Sequence, residues 1–447
     1  MDDTIVAVST ALGEGAISII RISGVNSIKI VNDLFKEKDL LKVSSHTIHY
    51  GHIVYNNEII DEVLLSIMKS PKTYTTEDII EINTHGSIAV VNKMMEILLL
   101  SGCRLAQPGE FTKRAFLNGR IDLTESEGVM DLINSETELS RRLAINEISG
   151  QVSSKIKELR SKIVGLISNI EVNIDYPEYE DIEVITINKI KNEIIYIKEE
   201  LLDILKLSED GKILKDGIKT VILGKPNVGK SSLLNALLDE NKAIVTDVKG
   251  TTRDIVEGSL IIGGIKLNLI DTAGVRKSDN VVEKIGIKKS LDLIEESELV
   301  LLVLDESESL TEEDIFLLDK TSDKKRIIIK NKSDLKSKNN YNKEYISVSA
   351  KTSKGINEIK EKIKQLFNVG LFESKNLTFF TNARQIALLK SALESLSDVE
   401  KGINENIEID MIEIDLKLVW EKLGDIVGAN YTEELLDDLF SRFCLGK

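Results

Sequence analysis

The spacing of apolar positions divides the chain into stretches of different kind. Up to about residue 118, short β-branched runs alternate with turns. Ala16-Ile17-Ser18-Ile19-Ile20-Arg21-Ile22 reads as a strand ending at Ser23-Gly24, and Val63 to Met68 and Ile79 to Ile82 read alike. Asn92 to Leu100 reads as a helix closed by Gly102. Near residue 120 the period changes. Thr124-Glu125-Ser126-Glu127 reads as a capping box, the hydroxyl meeting the amide of Glu127 and the carboxylate reaching back. Beyond it Val129, Leu132, Leu139, Leu143, Ile148, Val152, Ile156, Leu159, Ile163, Leu166 and Ile170 recur mostly three or four apart, which predicts one long amphipathic helix or two in series. The acidic stretch from Asp175 to Asp181 interrupts it, Ile187 to Leu207 is helical again, and Gly211 to Gly217 reads as a linker.

From Ile218 to about Phe367 strands and helices alternate: Lys219 to Leu223, Lys266 to Ile270, Val300 to Leu304, Arg326 to Ile329 and Glu344 to Val348 are the strands. Such alternation implies a mostly parallel sheet covered by helices. Past residue 380 the chain is helical. The fold class is therefore mixed, α/β and α: an N-terminal α/β domain over 1–118, a helical domain whose halves are 119–212 and 373–447, and an α/β domain over 213–372 inserted between them.

Composition narrows the options. At roughly 150 residues per domain, 447 residues make about three domains. The formal net charge of −16 argues against a protein that coats nucleic acid non-specifically, since phosphate binding needs a dense basic surface; a local basic patch remains open. Two cysteines, Cys103 and Cys444, build neither a disulfide framework nor a four-thiolate zinc site. No apolar run approaches the ~18 residues of a membrane span, and Met1-Asp2-Asp3-Thr4 lacks the basic start of a signal peptide. A soluble cytoplasmic protein without a membrane partner is expected.

The chemistry is most legible at Gly224-Lys225-Pro226-Asn227-Val228-Gly229-Lys230-Ser231, which fits the phosphate-loop pattern G-x-x-x-x-G-K-[ST], follows an apolar strand and opens a helix starting near Ser232. Amides at that helix start attract phosphate. Lys230 would neutralise the outer phosphates and Ser231 would ligate Mg2+. Gly250-Thr251-Thr252-Arg253-Asp254 lies where a switch threonine would complete the metal shell. In Asp271-Thr272-Ala273-Gly274 the aspartate would hold the metal and the glycine would offer an amide to phosphate. Asn331-Lys332-Ser333-Asp334 would read the base, with Asp334 accepting two hydrogen bonds from guanine, and Ser349-Ala350-Lys351 would set a backbone amide on guanine O6. Each piece alone has a bland reading as a turn or solvated loop; four in order identify a GTP-binding domain. Val275 stands where many such switches carry a water-positioning glutamine, so Arg253, Arg276 or Glu283 is left to orient water or stabilise charge. Asn227 offers an oxygen ligand where a monovalent cation would supply charge.

G-K-P-N-V-G-K-S-S-L-L-N-A-L, I-V-T-D-V-K-G-T-T-R-D, D-T-A-G-V-R and V-E-K-I-G together resemble the MnmE (TrmE) family of bacterial tRNA-modification GTPases. The likeness continues outside the GTPase portion, in Arg21-Ile22-Ser23-Gly24, in Glu77 to Glu81 before His85-Gly86, in the block from Pro108 to Arg120, and in the tail Phe443-Cys444-Leu445-Gly446-Lys447. The resemblance implies a tetrahydrofolate-binding, glycine-cleavage-like N-terminal domain that also makes a homodimer, a split helical domain, and an inserted Ras-like P-loop GTPase domain. It implies potassium-activated GTP hydrolysis and a heterotetramer with MnmG (GidA), which brings FAD and NADH. Together they would add an aminomethyl or carboxymethylaminomethyl group to C5 of the wobble uridine of tRNA, from a 5,10-methylene or 5-formyl tetrahydrofolate derivative.

Carried over by motif, K+ would be held by Asn227, Thr246, Val248 and Thr251, and Mg2+ by Ser231 and Thr252. Glu283 would position the hydrolytic water. The GTP contacts would be residues 227–232 (Asn227, Val228, Gly229, Lys230, Ser231, Ser232), 246–252 (Thr246, Asp247, Val248, Lys249, Gly250, Thr251, Thr252), 271–274, Asn331, Lys332, Asp334, Ser349, Ala350 and Lys351. The folate contacts would be Arg21, Glu81, Arg120 and Lys447, with Cys444 either catalytic or a small buried hydrophobe. Arg120 departs from the family's lysine, Ser87 from a glycine and Leu445 from an isoleucine. Arg141-Arg142 and the lysines of 324–338 are candidate tRNA contacts or ordinary solvated charges. The rival reading is a GTPase switch in ribosome assembly; a weaker one is a folate-dependent aminomethyltransferase with structural GTP.

Overall fold

The computed structural model describes residues 3–175, 187–239, 256–270, 291–372 and 377–447. Its strands are β1 (Ile5–Val8), β2 (Gly15–Ser23), β3 (Thr47–Tyr55), β4 (Glu58–Met68), β5 (Ile79–Gly86), β6 (Arg104–Leu105), β7 (Ile218–Leu223), β8 (Val256–Ile262), β9 (Ile265–Ile270), β10 (Leu299–Asp305), β11 (Arg326–Asn331) and β12 (Ile346–Ser347). Its helices are α1 (Ser27–Leu34), α2 (Ile88–Leu100), α3 (Glu110–Leu117), α4 (Leu123–Ile133), α5 (Glu138–Ile148), α6 (Gln151–Asp175), α7 (Ile187–Asp216), α8 (Lys230–Asp239), α9 (Glu312–Lys320), α10 (Ile356–Leu366), α11 (Val369–Phe372), α12 (Ala383–Asn404), α13 (Ile409–Val427) and α14 (Glu433–Ser441). They form two units, one of 1–133, 147–194 and 391–447, the other of 134–146 and 195–390.

In the first unit, a sheet of order β3-β4-β5-β2-β1-β6 is antiparallel except where β1 meets β6. Successive side chains alternate between its faces. Ile20, Ile22, Leu65, Ile67, Ile80 and Ile82 turn to one face and join Ile28 and Val31 of α1 and Met94, Ile97 and Leu98 of α2 in a single core. The pairings Arg21↔Glu81, Ile19↔Asn83, Leu64↔Asn83 and Tyr50↔Leu64 put the alternate residues on the other face. There Ile17, Tyr50 and Leu64 stand exposed, while Arg21 and Glu81 are half-buried. In the helical part of this unit α13 packs along α6, with Ile156, Leu159, Ile163, Leu416, Val419 and Leu423 all buried.

The second unit holds a sheet of order β12-β11-β10-β7-β9-β8. Every pair is parallel except β8 with β9. All seven residues of β10 are buried, as a central parallel strand covered on both faces requires. Apolar clusters lie on the two sides, one around Val228, Leu233, Ile329 and Ile359, the other around Val221, Val300, Leu302 and Leu317.

Four expectations change. The helical period from Val129 to Ile170 is carried by three helices, α4, α5 and α6, because Gly150 takes φ +72 before α6 and Thr137 and Ser140 bond each other at the start of α5. The cap of α4 lies two residues earlier than expected: Glu125 N–H donates to Asp122 Oδ1 at 3.0 Å and Asp122 N–H to Glu125 Oε2 at 2.8 Å, while the Thr124 hydroxyl donates to the carbonyl of Ile426. Asp122 competes well as a cap since its carboxylate is the stronger acceptor. Residues 211–216 are not a linker but the last turns of α7. Gly211 costs a helix roughly 1 kcal/mol, yet a Cβ there would lie 3.1 Å from Phe379 and 3.3 Å from Phe372, so its lack of a side chain seats that aromatic pair. The helix stops at Gly217, φ +92. Finally, the strand expected over 344–348 keeps only two ladder residues, Ile346 and Ser347.

Candidate functional site

The phosphate-loop residues form a tight bend between β7 and α8. Gly224 (φ +148) and Gly229 (φ +92) are required there: a Cβ would lie 2.4 Å from the carbonyl of Val303 at the first and 2.3 Å from Asn331 Nδ2 at the second. Asn227 takes φ +63, a left-handed conformation that asparagine tolerates, and is exposed. Val228 is buried beneath the loop. Lys230 opens α8, and its ammonium donates to the carbonyls of Gly224 at 2.6 Å and Lys225 at 2.9 Å. Burial holds that ammonium below the ordinary lysine value, with Glu313 pulling weakly the other way. Ser231 and Ser232 follow in the first turn, both exposed. A phosphate entering this loop would exchange two carbonyl contacts of Lys230 for a charge-assisted one, at the amide-rich start of a helix. The residues fit a nucleotide phosphate.

The base-reading motifs converge from the ends of β11 and β12. Asn331 is buried; its Nδ2 donates to the carbonyl of Val228 at 2.9 Å and its Oδ1 accepts from the amide of Ala350 at 3.0 Å. Its side chain thus braces the phosphate loop against the Ser349-Ala350-Lys351 loop. Lys332 (φ +68) donates to Asp305 Oδ2 at 2.5 Å. The Ser349 hydroxyl donates to Asp334 Oδ1 at 2.7 Å, the main reason that the Asp334 carboxyl titrates below its ordinary value. Asp334 is exposed and ionised, as an acceptor for guanine's paired donors must be. Lys351 is exposed beside it. Thr246, Asp247, Val248, Lys249, Gly250, Thr251, Thr252, Arg253, Asp271, Thr272, Ala273, Gly274, Val275, Arg276 and Glu283 lie outside the described residues.

In the first unit the four folate candidates meet. Arg21 and Glu81 pair across β2 and β5: Arg21 Nε and Nη2 both reach Glu81 Oε1 at 2.8 Å. Arg21 Nη1 donates to the carbonyl of Gly446 at 3.2 Å. The Arg120 guanidinium stacks 4.5 Å from the centre of the Tyr74 ring, and that of Arg21 lies 5.9 Å from the same ring and 5.8 Å from Phe111. Burial, and then the Arg21 charge, hold the Lys447 ammonium below its ordinary value, with Cys444 opposing. Arg21 thus links Glu81, the Tyr74 ring on which Arg120 also stacks, and the tail that carries Lys447. This suits a ligand carrying both carboxylates and a donor–acceptor edge, which is the chemistry of a folate. Cys444 is exposed, so the buried-hydrophobe reading does not hold.

The block from Pro108 to Arg120 acquires a physical reason. Gly109 (φ +68) lets the chain pass where a Cβ would lie 2.6 Å from the Phe440 carbonyl. Glu110 and Arg114 belong to a buried ion network in which Arg114, 1% exposed, donates to Asp3, Glu77 and Glu110. Phe111 lies beside Arg21, and Thr112 holds the Tyr74 hydroxyl at 2.9 Å. Tyr74, Ser9 and Gly446 are the participants that sequence reasoning missed; a tyrosine in a polar loop carries no signal of its own.

Several of the candidate tRNA cations are engaged within the protein, while Lys336 and Lys338 are exposed. Arg141 and Arg142 both bind Glu138, and Lys324 donates to the carbonyls of Glu295 and Ser297. Lys330 is buried. Among the described residues no group of three His, Cys, Asp or Glu is placed to hold a metal, and no helix is long and apolar enough to cross a membrane.

Comparison with known proteins gives matches over both parts. Residues 4–120 match the family described as GTP-binding protein TrmE N-terminus, and residues 123–444 match the MnmE helical domain. The protein is similar to "tRNA modification GTPase MnmE" of Streptococcus thermophilus (strain CNRZ 1066), at 50% identity over 450 residues, 100% of this chain and 98% of that one. It is similar to the protein of the same description from Ligilactobacillus salivarius (strain UCC118), at 49% identity over 455 residues, 100% and 98% of the two chains. Among solved structures, the G domain of the T. maritima FeoB iron transporter aligns with 33% of this chain and 98% of its own, at 27% identity and a TM-score of 0.24.

Proposed function

The chain belongs to the MnmE (TrmE) family of tRNA modification GTPases and is a GTP hydrolase acting in tRNA modification, and from that premise we propose that it installs a one-carbon-derived group on C5 of the wobble uridine. The donor is a tetrahydrofolate derivative bound at Arg21, Glu81, Arg120 and Lys447. The observation that supports this reading is that Arg21 of β2 and Arg120 of the segment after α3 both lie over Tyr74, while Arg21 also binds Glu81 of β5 and the Gly446 carbonyl in the tail that carries Lys447. A switch concerned only with ribosome assembly has no use for such a cluster.

The residues divide the work. Glu81 accepts from the pterin edge, and Arg21 and Arg120 meet the carboxylates. The exposed Cys444 thiol sits on the tail that Gly446 fastens beside them. In the nucleotide site Lys230 meets the outer phosphates, Ser231 with Thr252 holds Mg2+, and Asp334 selects guanine. Potassium, held by Asn227 together with Thr246, Val248 and Thr251, supplies positive charge near the phosphates, and Glu283 orients water. The partner is the FAD-containing MnmG, and the chain pairs with a second copy of itself through the N-terminal domain. The exposed Ile17, Ile48, Tyr50 and Leu64 favour such pairing, since an open apolar sheet face marks an interface.

Nucleoside mass spectrometry on total tRNA, from cells with and without the gene, tests the proposal. Loss of C5-aminomethyl-type uridines is expected on deletion, with restoration by the wild-type gene and not by Arg21→Ala. An unchanged nucleoside profile in the deletion strain would overturn it and favour the ribosome-assembly reading.

A further inference from the structure

Helix α13 has two apolar faces, and its own chain uses one. Ile412, Leu416, Val419 and Leu423 are buried, and the helix packs along α6. Met411, Ile414 and Leu418 recur at the three- and four-residue spacing of a second stripe, and Ile407 precedes them. These four are exposed at 54%, 54%, 41% and 40% in that order. At helical spacing Asp415 and Lys422 flank the stripe on one side, and Asp410 and Glu421 flank it on the other.

The charge around it is one-sided. Between residues 394 and 425 ten carboxylates stand against three lysines, a net of −7, where the whole chain carries −16. Lys417 is already committed to Glu413 and Glu171, and Lys401 to Glu405. Burial, and next the like charge of Asp398 on α12, raise the Asp415 carboxyl above its ordinary value; an incoming cation would offset the like charge.

We propose that the Met411–Ile414–Leu418 stripe is the docking seam for a basic amphipathic helix of another protein. Apolar anchors at i, i+3 and i+7 match one face of a helix laid alongside, and lysines or arginines flanking that face meet Asp410, Asp415 and Glu421. The sign of the charge selects this occupant. A second copy of the chain would set one acidic face against another, and RNA phosphate or an anionic lipid surface would be repelled for the same reason.

The test is fluorescence anisotropy with the full-length protein and a labelled synthetic amphipathic Leu/Lys helix, with a Leu/Glu helix as the control. The wild-type protein is expected to bind the Leu/Lys helix and not the Leu/Glu helix. Ile414→Asp is expected to weaken binding about tenfold or more, and Asp410→Lys with Asp415→Lys to weaken it while flattening its salt dependence. These surface substitutions should leave the thermal melt and basal GTP hydrolysis unchanged. Equal binding by wild type and Ile414→Asp would overturn the seam, because capture would then be charge alone. Loss of self-association, or of tRNA binding, in Ile414→Asp with peptide binding intact would overturn it in favour of a second copy or of RNA.

Discussion

Arg21 and Gly446 are hydrogen-bonded, Nη1 to carbonyl, at 3.2 Å, although 425 residues separate them in sequence. Ser9 Oγ donates to the same carbonyl at 3.2 Å. Gly446 reaches this position with φ +87, and a Cβ there would lie 2.5 Å from the carbonyl of Val8. The tail is therefore seated on the sheet by a residue that has to be glycine.

Gly446→Ala is expected to unseat the tail. The left-handed backbone costs an L-residue roughly 1–2 kcal/mol, and the contact with Val8 adds to it. Affinity for 5-formyl-tetrahydrofolate, measured by calorimetry, should fall about tenfold or more, while GTP hydrolysis without folate stays unchanged. Full folate affinity in this variant would show that the tail is not part of the site.

Asp334→Asn turns an ionised acceptor pair into a mixed donor and acceptor. Because the Ser349 hydroxyl occupies only Oδ1 and the residue is exposed, the fold should not change. GTP should bind at least about tenfold more weakly, and xanthosine triphosphate should gain. A competition titration with both nucleotides reads this directly; a preserved preference for guanine would remove the base assignment.

Asn227 projects from the phosphate loop with an exposed amide. Potassium is expected to accelerate hydrolysis over sodium at equal ionic strength, and Asn227→Ala to erase the difference. Equal rates in the two salts with the wild-type protein would eliminate the bound cation.

His85 Nδ1 lies 2.7 Å from Asp61 Oδ1, and this hydrogen bond, with the Asp61 charge second, raises the imidazole above its ordinary value. A raised folded-state value means stabilisation that is fully present below the unfolded imidazole value and lost as pH rises through the folded one. An NMR titration of the His85 ring should therefore show a midpoint above the ordinary value in the wild type and a lower one in Asp61→Asn. Coincident midpoints would deny the pairing any effect.

What the sequence disclosed follows from the range of the forces involved. β2, β5 and α2 were legible because period and punctuation are local, and the phosphate loop because it is one contiguous segment whose glycines are conformational necessities. β1 and β3 are not legible: β1 is too short to show a period, and β3 breaks its apolar run with histidines and a tyrosine. The end of α7 is not legible because Gly211 looks like a breaker until Phe372 and Phe379 arrive from another part of the chain. The same holds for the cluster around Tyr74. Arg21 and Arg120 were named through family likeness, but their common ring, Tyr74, and the seating of Gly446 are tertiary facts with no local trace.

The Arg21–Gly446 bond also fixes when the cluster can be completed. The residue that completes the surroundings of Arg21 on β2 is made 425 residues after it. Residues 195–390, which belong to the other unit, are synthesised in between and have to close that loop. An unstructured loop of this length would cost on the order of 5 kcal/mol to close, so prior folding of the intervening unit shortens the effective span. The sheet can form before the tail is made, but the proposed folate site cannot, so a nascent chain stalled between the two would have the sheet and not the site.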